Sequence, residues 1–215
     1  MVMVDQLLCS RWFARQPRHV QQALAAAGRW VTLSAGQWVY GEGDETTGLV
    51  IVTRGMLRLE AAVGERTILV GVAIAGGAFG QSQRRGGGPR IVTARAGPAS
   101  QVVTIGDAAL ERIGAELPVL WRAVSELVYG QLDASVHGLA QMLALPPRAR
   151  IAARLLLFAD VGDAPLSQTD LAELCGLSRK STNAHLALLE AEGMIRRGYG
   201  SIRVLDTSRL KNLLQ

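Results

Sequence analysis

The spacing of hydrophobic residues changes three times along this chain of 215 residues. Up to Gly28 the apolar side chains are widely spaced, which predicts one or two short helices that end at this glycine. From Arg29 to Ile105, short β-prone runs alternate with glycine, which predicts an antiparallel barrel or sandwich. These runs cover 38–40, 49–52, 56–59, 67–72, 91–93 and 102–105.

A helical period follows Gly106. Apolar residues recur at steps of three and four from Leu117 to Leu143, and Pro146 and Pro147 end the run. This spacing predicts a helix of about 25 residues, or roughly 37 Å. Heptad-like spacing favours pairing with the same helix of a second chain, and a long core helix within one subunit is the alternative.

The pattern of the last segment changes again. Residues 148–159 read as one helix, and residues 167–175 and 178–191 read as two helices joined by a tight turn at Gly176. Residues 195–205 carry Gly198 and Gly200 between short apolar runs, which predicts a hairpin. Helices and hairpin in this order are the parts of a winged helix-turn-helix.

The second helix of this pair has polar and basic side chains of the kinds that bind DNA. Ser178 is placed to cap it, so its first turns project polar side chains. Arginine can bind guanine in a bidentate way, asparagine can pair with adenine, and serine hydroxyls and helix N-terminal amides suit phosphate. The predicted DNA-binding residues here are Ser178, Arg179, Lys180, Ser181 and Asn183, and the hairpin adds Arg196, Arg197 and Arg203 for phosphates, with Tyr199 between glycines.

These motifs resemble the CRP/FNR family of bacterial transcription regulators. The match includes Leu166-Ser-Gln-Thr-Asp-Leu-Ala, Gly176-Leu-Ser-Arg-Lys-Ser-Thr, Gly77-Ala-Phe-Gly and Arg90-Ile-Val-Thr-Ala-Arg-Ala. The resemblance implies an α+β fold with an N-terminal cyclic-nucleotide-binding-like β-roll, a long dimerisation helix and a C-terminal winged helix-turn-helix. We place the β-roll with its N-terminal helices at 1–108, the dimerisation helix at 109–144 and the DNA-binding domain at 145–215.

The family resemblance also implies partners. It predicts a homodimer that binds double-stranded DNA at a roughly palindromic operator and contacts RNA polymerase. On the DNA-reading helix, Ala184 stands where family members often carry an arginine, and Lys180 stands where they carry an acidic residue. We therefore do not expect the family's usual operator sequence.

The cyclic-nucleotide cassette departs from the family pattern. Family members that bind cyclic nucleotides carry Phe-Gly-Glu and later Arg-Ser/Thr-Ala, whereas this chain has Phe79-Gly80-Gln81 and Arg90-Ile91-Val92. Gln81 is neutral, and Ile91 has no hydroxyl and adds bulk where the phosphate would lie. We predict that the roll is retained and control by cyclic AMP is lost. The alternative is a roll that binds another small anionic effector, with candidate residues Gly80, Gln81, Arg90 and Ser135.

The role of Arg90 has two interpretations at this stage. Its guanidinium could pair with an anionic ligand, or it could form a salt bridge at the surface or at the rim of the core.

Composition narrows the remaining function classes. The net charge of +5 is compatible with a polyanionic partner, although a high arginine content can also reflect genome composition. Cys9 and Cys175 are too few for an iron–sulfur cluster, which needs about four thiolates, and they fit a reducing cytoplasm. Because phosphate loops, nucleophile elbows and zinc motifs are missing from the sequence, we predict no enzyme activity, no cofactor and no metal. No stretch of the sequence approaches 18 consecutive uncharged apolar residues, so we predict no membrane segment.

Overall fold

The computed structural model describes residues 2–160, 162–198 and 200–215, so Tyr199 lies outside the described residues. The chain divides into two compact units, residues 1–133 and residues 134–215. The described part contains no helix that is both long and apolar enough to cross a membrane.

The first unit begins with short helices and continues as strands. Its described helices before the first strand are α1 (Val2–Leu7), α2 (Arg11–Ala14) and α3 (Arg18–Ala27), where one or two were predicted, and α3 is followed by Gly28 as its C-cap. The strands are β1 (Arg29–Leu33), β2 (Trp38–Tyr40), β3 (Gly48–Arg54), β4 (Met56–Val63), β5 (Arg66–Ile74), β6 (Ala78–Gln81), β7 (Thr93–Ala96) and β8 (Ser100–Gly106). Helix α4 (Asp107–Glu116) comes directly after β8.

The strands of this unit form two antiparallel sheets. Within the described residues their orders are β1-β8-β3-β6 and β2-β7-β4-β5. The predicted run at 91–93 was wrong in its first two residues, because β7 begins at Thr93. Residues 91 and 92 instead follow Arg90, whose backbone N–H donates to the carbonyl of Asp44.

Strand β3 is buried on both of its faces. Val50 and Val52 face a core shared by the two sheets, with Leu57, Phe79 and Val102. Leu49 and Ile51 point the other way, because successive side chains alternate across a strand, and they pack among the helices. The helical side of that core is made of Leu7, Phe13, Leu24, Leu110 and Leu120. The unbroken apolar run of β3 follows from this double coverage.

The predicted long helix is present as α5 (Leu120–Ala144), which has 25 residues. The segment 109–144 contains most of α4 and then α5, because the chain turns at Leu117–Val119 between the two helices. Helix α5 buries Leu120, Ala123, Val124 and Leu127 near its start.

The second unit is a helical bundle with a small sheet. Its helices after α5 are α6 (Pro147–Leu156), α7 (Gln168–Cys175), α8 (Arg179–Ala191) and α9 (Thr207–Asn212). Its described strands are β9 (Asp163–Ala164), β10 (Ile195–Gly198) and β11 (Ser201–Val204), in the order β10-β11-β9. The hairpin is the predicted one, whereas β9 and α9 were not predicted from the sequence. Ile151, Leu155, Phe158, Leu171, Leu186 and Leu189 are fully buried in this unit.

Candidate functional site

Helix α7 begins with a reciprocal cap. The Ser167 hydroxyl accepts a hydrogen bond from the backbone N–H of Asp170 at 3.1 Å, and the Asp170 carboxylate accepts one from the N–H of Ser167 at 3.0 Å. This capping box satisfies two of the N–H groups that a helix start leaves without partners. The local sequence therefore fixes where the helix pair begins.

The turn between α7 and α8 needs a glycine. Gly176 has a φ of 61°, in the left-handed region that residues with a side chain rarely adopt. The N–H of Leu177 then donates to the carbonyl of Ala172 at 2.9 Å, which closes the end of α7. Ser178 is the N-cap of α8, because its hydroxyl accepts a hydrogen bond from the N–H of Ser181 at 3.1 Å.

The predicted DNA-reading side chains lie together at the start of α8. Ser178, Arg179 and Lys180 lie at its exposed first turn, and Ser181 and Asn183 are half-buried. Thr182, Leu186 and Leu189 form the buried face of the same helix. The start of α8 therefore presents two cations and free helix N–H groups to the solvent, which is a surface that suits a polyanion.

The exposed face of α8 becomes more apolar after this first turn. Ala184 lies one turn after Lys180 and is exposed, as are Ala187 and Leu188. The side-chain oxygen of Asn183 is enclosed and has no hydrogen-bond partner among the described residues. Hydrogen-bonding groups on the exposed face of α8 are thus concentrated at its beginning.

The arginines of the hairpin differ in their partners. Arg203 donates two hydrogen bonds to Asp163, at 2.6 and 2.7 Å, and these bonds lower the pKa of the Asp163 carboxyl. Arg197 pairs with Glu190 of α8, and its backbone N–H and side chain lower the pKa of that carboxyl. Arg196 is exposed and lies directly across the sheet from Arg203. Two of the three predicted phosphate contacts therefore already hold the hairpin in place.

The first candidate effector residue, Gly80, is held by the long helix. Its backbone N–H donates to the Gln131 side-chain oxygen at 3.1 Å, and its carbonyl accepts from the Gln131 amide at 2.9 Å. Gly80 has a φ of 139°, and a Cβ there would lie 2.3 Å from the carbonyl oxygen of Gly48. Gln131 was missed in the sequence, although a polar residue beside Leu127 and Leu132 was a usable signal.

Gln81 and Arg90 also bond within the protein. The Gln81 amide donates to the carbonyls of Gly88 and Pro89, at 2.6 and 2.7 Å. Arg90 is buried and donates to the carbonyls of Thr46 and Gly48, at 3.2 and 2.9 Å. Neither interaction involves an anion.

Arg90 also stacks on an aromatic ring. Its guanidinium carbon lies 4.0 Å from the centre of the Tyr40 ring, and burial lowers the pKa of this arginine. Ile91, which was expected to fill the phosphate position, is 73% exposed instead. Ser135 is exposed on α5, in the second unit.

The loop after Gln81 is held by local structure and by hydrogen bonds to neighbouring elements. It contains a 3₁₀ helix (Gln83–Arg85), and the Thr47 hydroxyl and Asp107 carboxylate accept hydrogen bonds from the N–H groups of Gln83 and Arg84. Burial by itself would raise the pKa of Asp107, but its hydrogen bonds outweigh that effect, and the pKa is lowered.

Comparison with known proteins agrees with this architecture. Residues 30–116 match the family described as the cyclic nucleotide-binding domain, and residues 149–213 match the Crp-like helix-turn-helix domain. The chain belongs to the CRP/FNR family of transcription regulators. The predicted fold is thereby confirmed, and so is the prediction that the protein is a regulator and not an enzyme.

Individual relatives of this CRP/FNR chain are distant in sequence. The nitrogen fixation regulation protein FixK of Bradyrhizobium diazoefficiens is 28% identical over 197 residues, which cover 86% of this chain and 82% of FixK. The structure of FixK2 from Bradyrhizobium japonicum superposes with a TM-score of 0.75 at 21% identity, covering 86% of this chain and 96% of FixK2. A CRP/FNR-family regulator from Thermus thermophilus gives a TM-score of 0.69 at 23% identity, covering 86% of this chain and 98% of that one.

Proposed function

We propose that this CRP/FNR regulator acts in the cytoplasm as a homodimer that binds a roughly palindromic operator without cyclic AMP. The observation that carries the proposal is the exposed start of α8, where Ser178, Arg179 and Lys180 stand on a capped helix. A helix of this kind enters the major groove with its N-terminal residues at the base edges. Contact with RNA polymerase is part of the proposal, on the family's mode of action.

The surface of α5 supports the dimer. Apolar side chains at positions 128, 132, 136, 139 and 143 are all at least 42% exposed, and Leu143 reaches 79%. They recur at steps of three and four residues, so they form one stripe along the helix. A continuous apolar stripe of this length is typical of a coiled-coil seam between two chains.

The internal hydrogen bonds of the cassette residues support independence from cyclic AMP. Gln81 and Arg90, which the family pattern would aim at the ribose and the phosphate, donate their hydrogen bonds to backbone carbonyls of the protein itself. A cyclic nucleotide would have to displace these bonds before it could form its own. The net gain for the ligand would be small.

A second candidate function is the sensing of another small anion by the first unit. It is favoured by a cavity of about 570 Å³ beside the loop that follows Gln81. In that case the ligand would shift the population of DNA-binding conformations.

Selection of bound sites from a random duplex library tests the main proposal. Purified protein alone should recover an operator with two inverted half-sites about 10 bp apart, because that spacing places two recognition helices in successive major grooves. Added cyclic AMP should leave both the recovered sequences and the affinity unchanged. Recovery of no sequence, or recovery only with cyclic AMP, would contradict the proposal.

Replacing Arg179 by Ala tests the assignment of the reading side chain. The variant should lose about 1–3 kcal/mol of binding free energy on the selected operator and should tolerate more bases at one position. Competition binding with operators that carry each base at each position measures both effects. The Arg112→Ala variant, which removes an exposed arginine of α4, is the matched control. An equal loss on every sequence would make Arg179 a phosphate contact.

A further inference from the structure

The loop at 82–87 and the first turns of α5 form a cavity within the first unit that is open to solvent on one side, where Val128 and Tyr129 are exposed. Its volume is about 570 Å³, in the range of about 300–1,000 Å³ that is usual for small-molecule sites. Trp121, Val124, Val128 and Tyr129 line it from the helix, and Gln81, Ser82, Arg85, Gly86 and Gly87 line it from the loop, with Ser125 completing the wall. The cavity is thus mostly apolar and aromatic, with a few polar groups.

Arg85 is the only formally charged side chain among these lining residues. Its guanidinium carbon lies 4.1 Å above the centre of the Trp121 ring, so the two groups form one stacked wall. Its Nε and Nη2 atoms donate to the two Glu111 oxygens at 2.9 and 3.0 Å. Its Nη1 atom has no hydrogen-bond partner among the described residues, so the free edge of the guanidinium can donate to an acceptor.

The Trp121 ring is held in position by the neighbouring helix. Gly114 of α4 faces this ring, and a Cβ at that position would lie 2.4 Å from the indole nitrogen. Glu111, on the same helix, fixes the other side of Arg85. Helix α4 therefore holds Arg85 and Trp121 in their stacked arrangement before a ligand binds, which lowers the entropic cost of binding.

We propose that this cavity binds a small aromatic monoanion, such as an aryl carboxylate. The apolar wall would receive the ring, and the free edge of Arg85 would donate to the carboxylate, with the Ser125 hydroxyl as a further donor. The cavity shares Gln81 with the family's cassette, but Gly80 and Arg90 do not line it, so Arg85 is the charged group that would bind the carboxylate. This inference deepens the second candidate function and rests on it only for the regulatory consequence of binding.

Calorimetry with two matched probes tests the site on the full-length protein in its native oligomeric state. We expect 2-naphthoate to bind about tenfold more tightly than the neutral 2-naphthalenemethanol, because only the acid offers a charged acceptor to Arg85. In the Arg85→Gln variant this preference should disappear. In the Arg66→Gln variant, which removes an exposed arginine at the start of β5, it should persist.

One further variant and a separate measurement of operator binding distinguish the possible results of this calorimetry. Ser125→Phe should fill the cavity and abolish binding of both probes, with the circular dichroism spectrum unchanged. Failure of 2-naphthoate to bind the wild type would overturn the proposal. A preference for the acid that survives Arg85→Gln would overturn it as well. Operator binding, measured separately, reports on the main function, and a change in operator affinity with 2-naphthoate would connect the two.

Discussion

At the scale of single residues, the cassette side chains of Gln81 and Arg90 donate their hydrogen bonds to backbone carbonyls of the protein itself. Arg90 lies between the Tyr40 ring and the carbonyls of Thr46 and Gly48, where the sequence left a choice between an anion and a salt bridge. This arginine stabilises the chain at the start of β3, because its guanidinium donates hydrogen bonds to the carbonyls of Thr46 and Gly48. Gln81 does the same for Gly88 and Pro89.

Glu60 of β4 is a second residue whose environment determines its chemistry. Its side chain is 5% exposed, and it accepts hydrogen bonds from Arg58 and Arg95. Burial alone would raise the pKa of Glu60, but these two arginines outweigh burial, and the pKa lies below its usual value of 4.5. A carboxyl of this kind stabilises the fold above its unfolded pKa, and the contribution is lost as the pH falls through the folded pKa.

Replacing Glu60 by Gln should therefore destabilise the protein in a pH-dependent way. We expect the free energy of unfolding to fall by about 1–3 kcal/mol at pH 7, and the difference from wild type to shrink as the pH drops below about 4.5. Urea unfolding at a series of pH values measures this difference. Glu111→Gln, which breaks the more exposed ion pair with Arg85, should cost less than about 1 kcal/mol. A difference that stays constant from pH 7 to pH 3 would show that the charge is not responsible.

At the scale of elements, the helix pair could be predicted closely because its signals are local. Ser167, Gly176 and Ser178 act within three or four residues of their own positions, so the sequence carries the whole cause. The interactions of the cassette could not be predicted in this way. Gln131 reaches Gly80 across 51 residues, and Arg90 reaches Thr46 and Gly48 across more than 40, so their partners depend on the folded sheet.

The capping box of α7 gives a prediction at this scale. Replacing Ser167 by Ala should lower the free energy of unfolding by about 1 kcal/mol, since it removes the acceptor for the Asp170 N–H. Denaturant unfolding followed by circular dichroism measures the loss. Ser208→Ala, at an exposed position within α9, should leave the stability unchanged. Equal effects of the two substitutions would contradict the capping role.

At the scale of the whole molecule, the order of domains follows from sequence periodicity alone. Short β-prone runs between glycines, then a long helical run, then short capped helices correspond to the β-strands, α5 and the helix-turn-helix that the structure contains. Strand β9 and helix α9 were missed because a strand of two residues and a helix of six leave little periodic signal. The assignment of domain boundaries and DNA-contacting residues stays a prediction.

The stripe on α5 predicts the oligomeric state. Replacing Leu132 by Glu should convert the dimer to a monomer, because it places a charge in the middle of the apolar seam. Analytical ultracentrifugation gives the mass directly, and operator affinity should fall with it. Ala134→Glu adds the same charge on the side of α5 that faces away from the stripe, and this variant should remain dimeric. A dimer that survives Leu132→Glu would place the interface elsewhere.

The ion pair between Arg203 and Asp163 sets how strongly salt should affect operator binding. An arginine that is neutralised within the protein displaces few counterions from DNA, and each phosphate contact contributes about 0.9 to the slope of log affinity against log salt. We expect Asp163→Asn to free Arg203 and to steepen this slope by roughly 0.9, with tighter binding at low salt. Asp44→Asn in the first unit should leave the slope unchanged, and titrations from low to high potassium chloride compare the variants. The same carboxylate that stiffens the hairpin would then make operator occupancy less sensitive to the ionic strength of the cell.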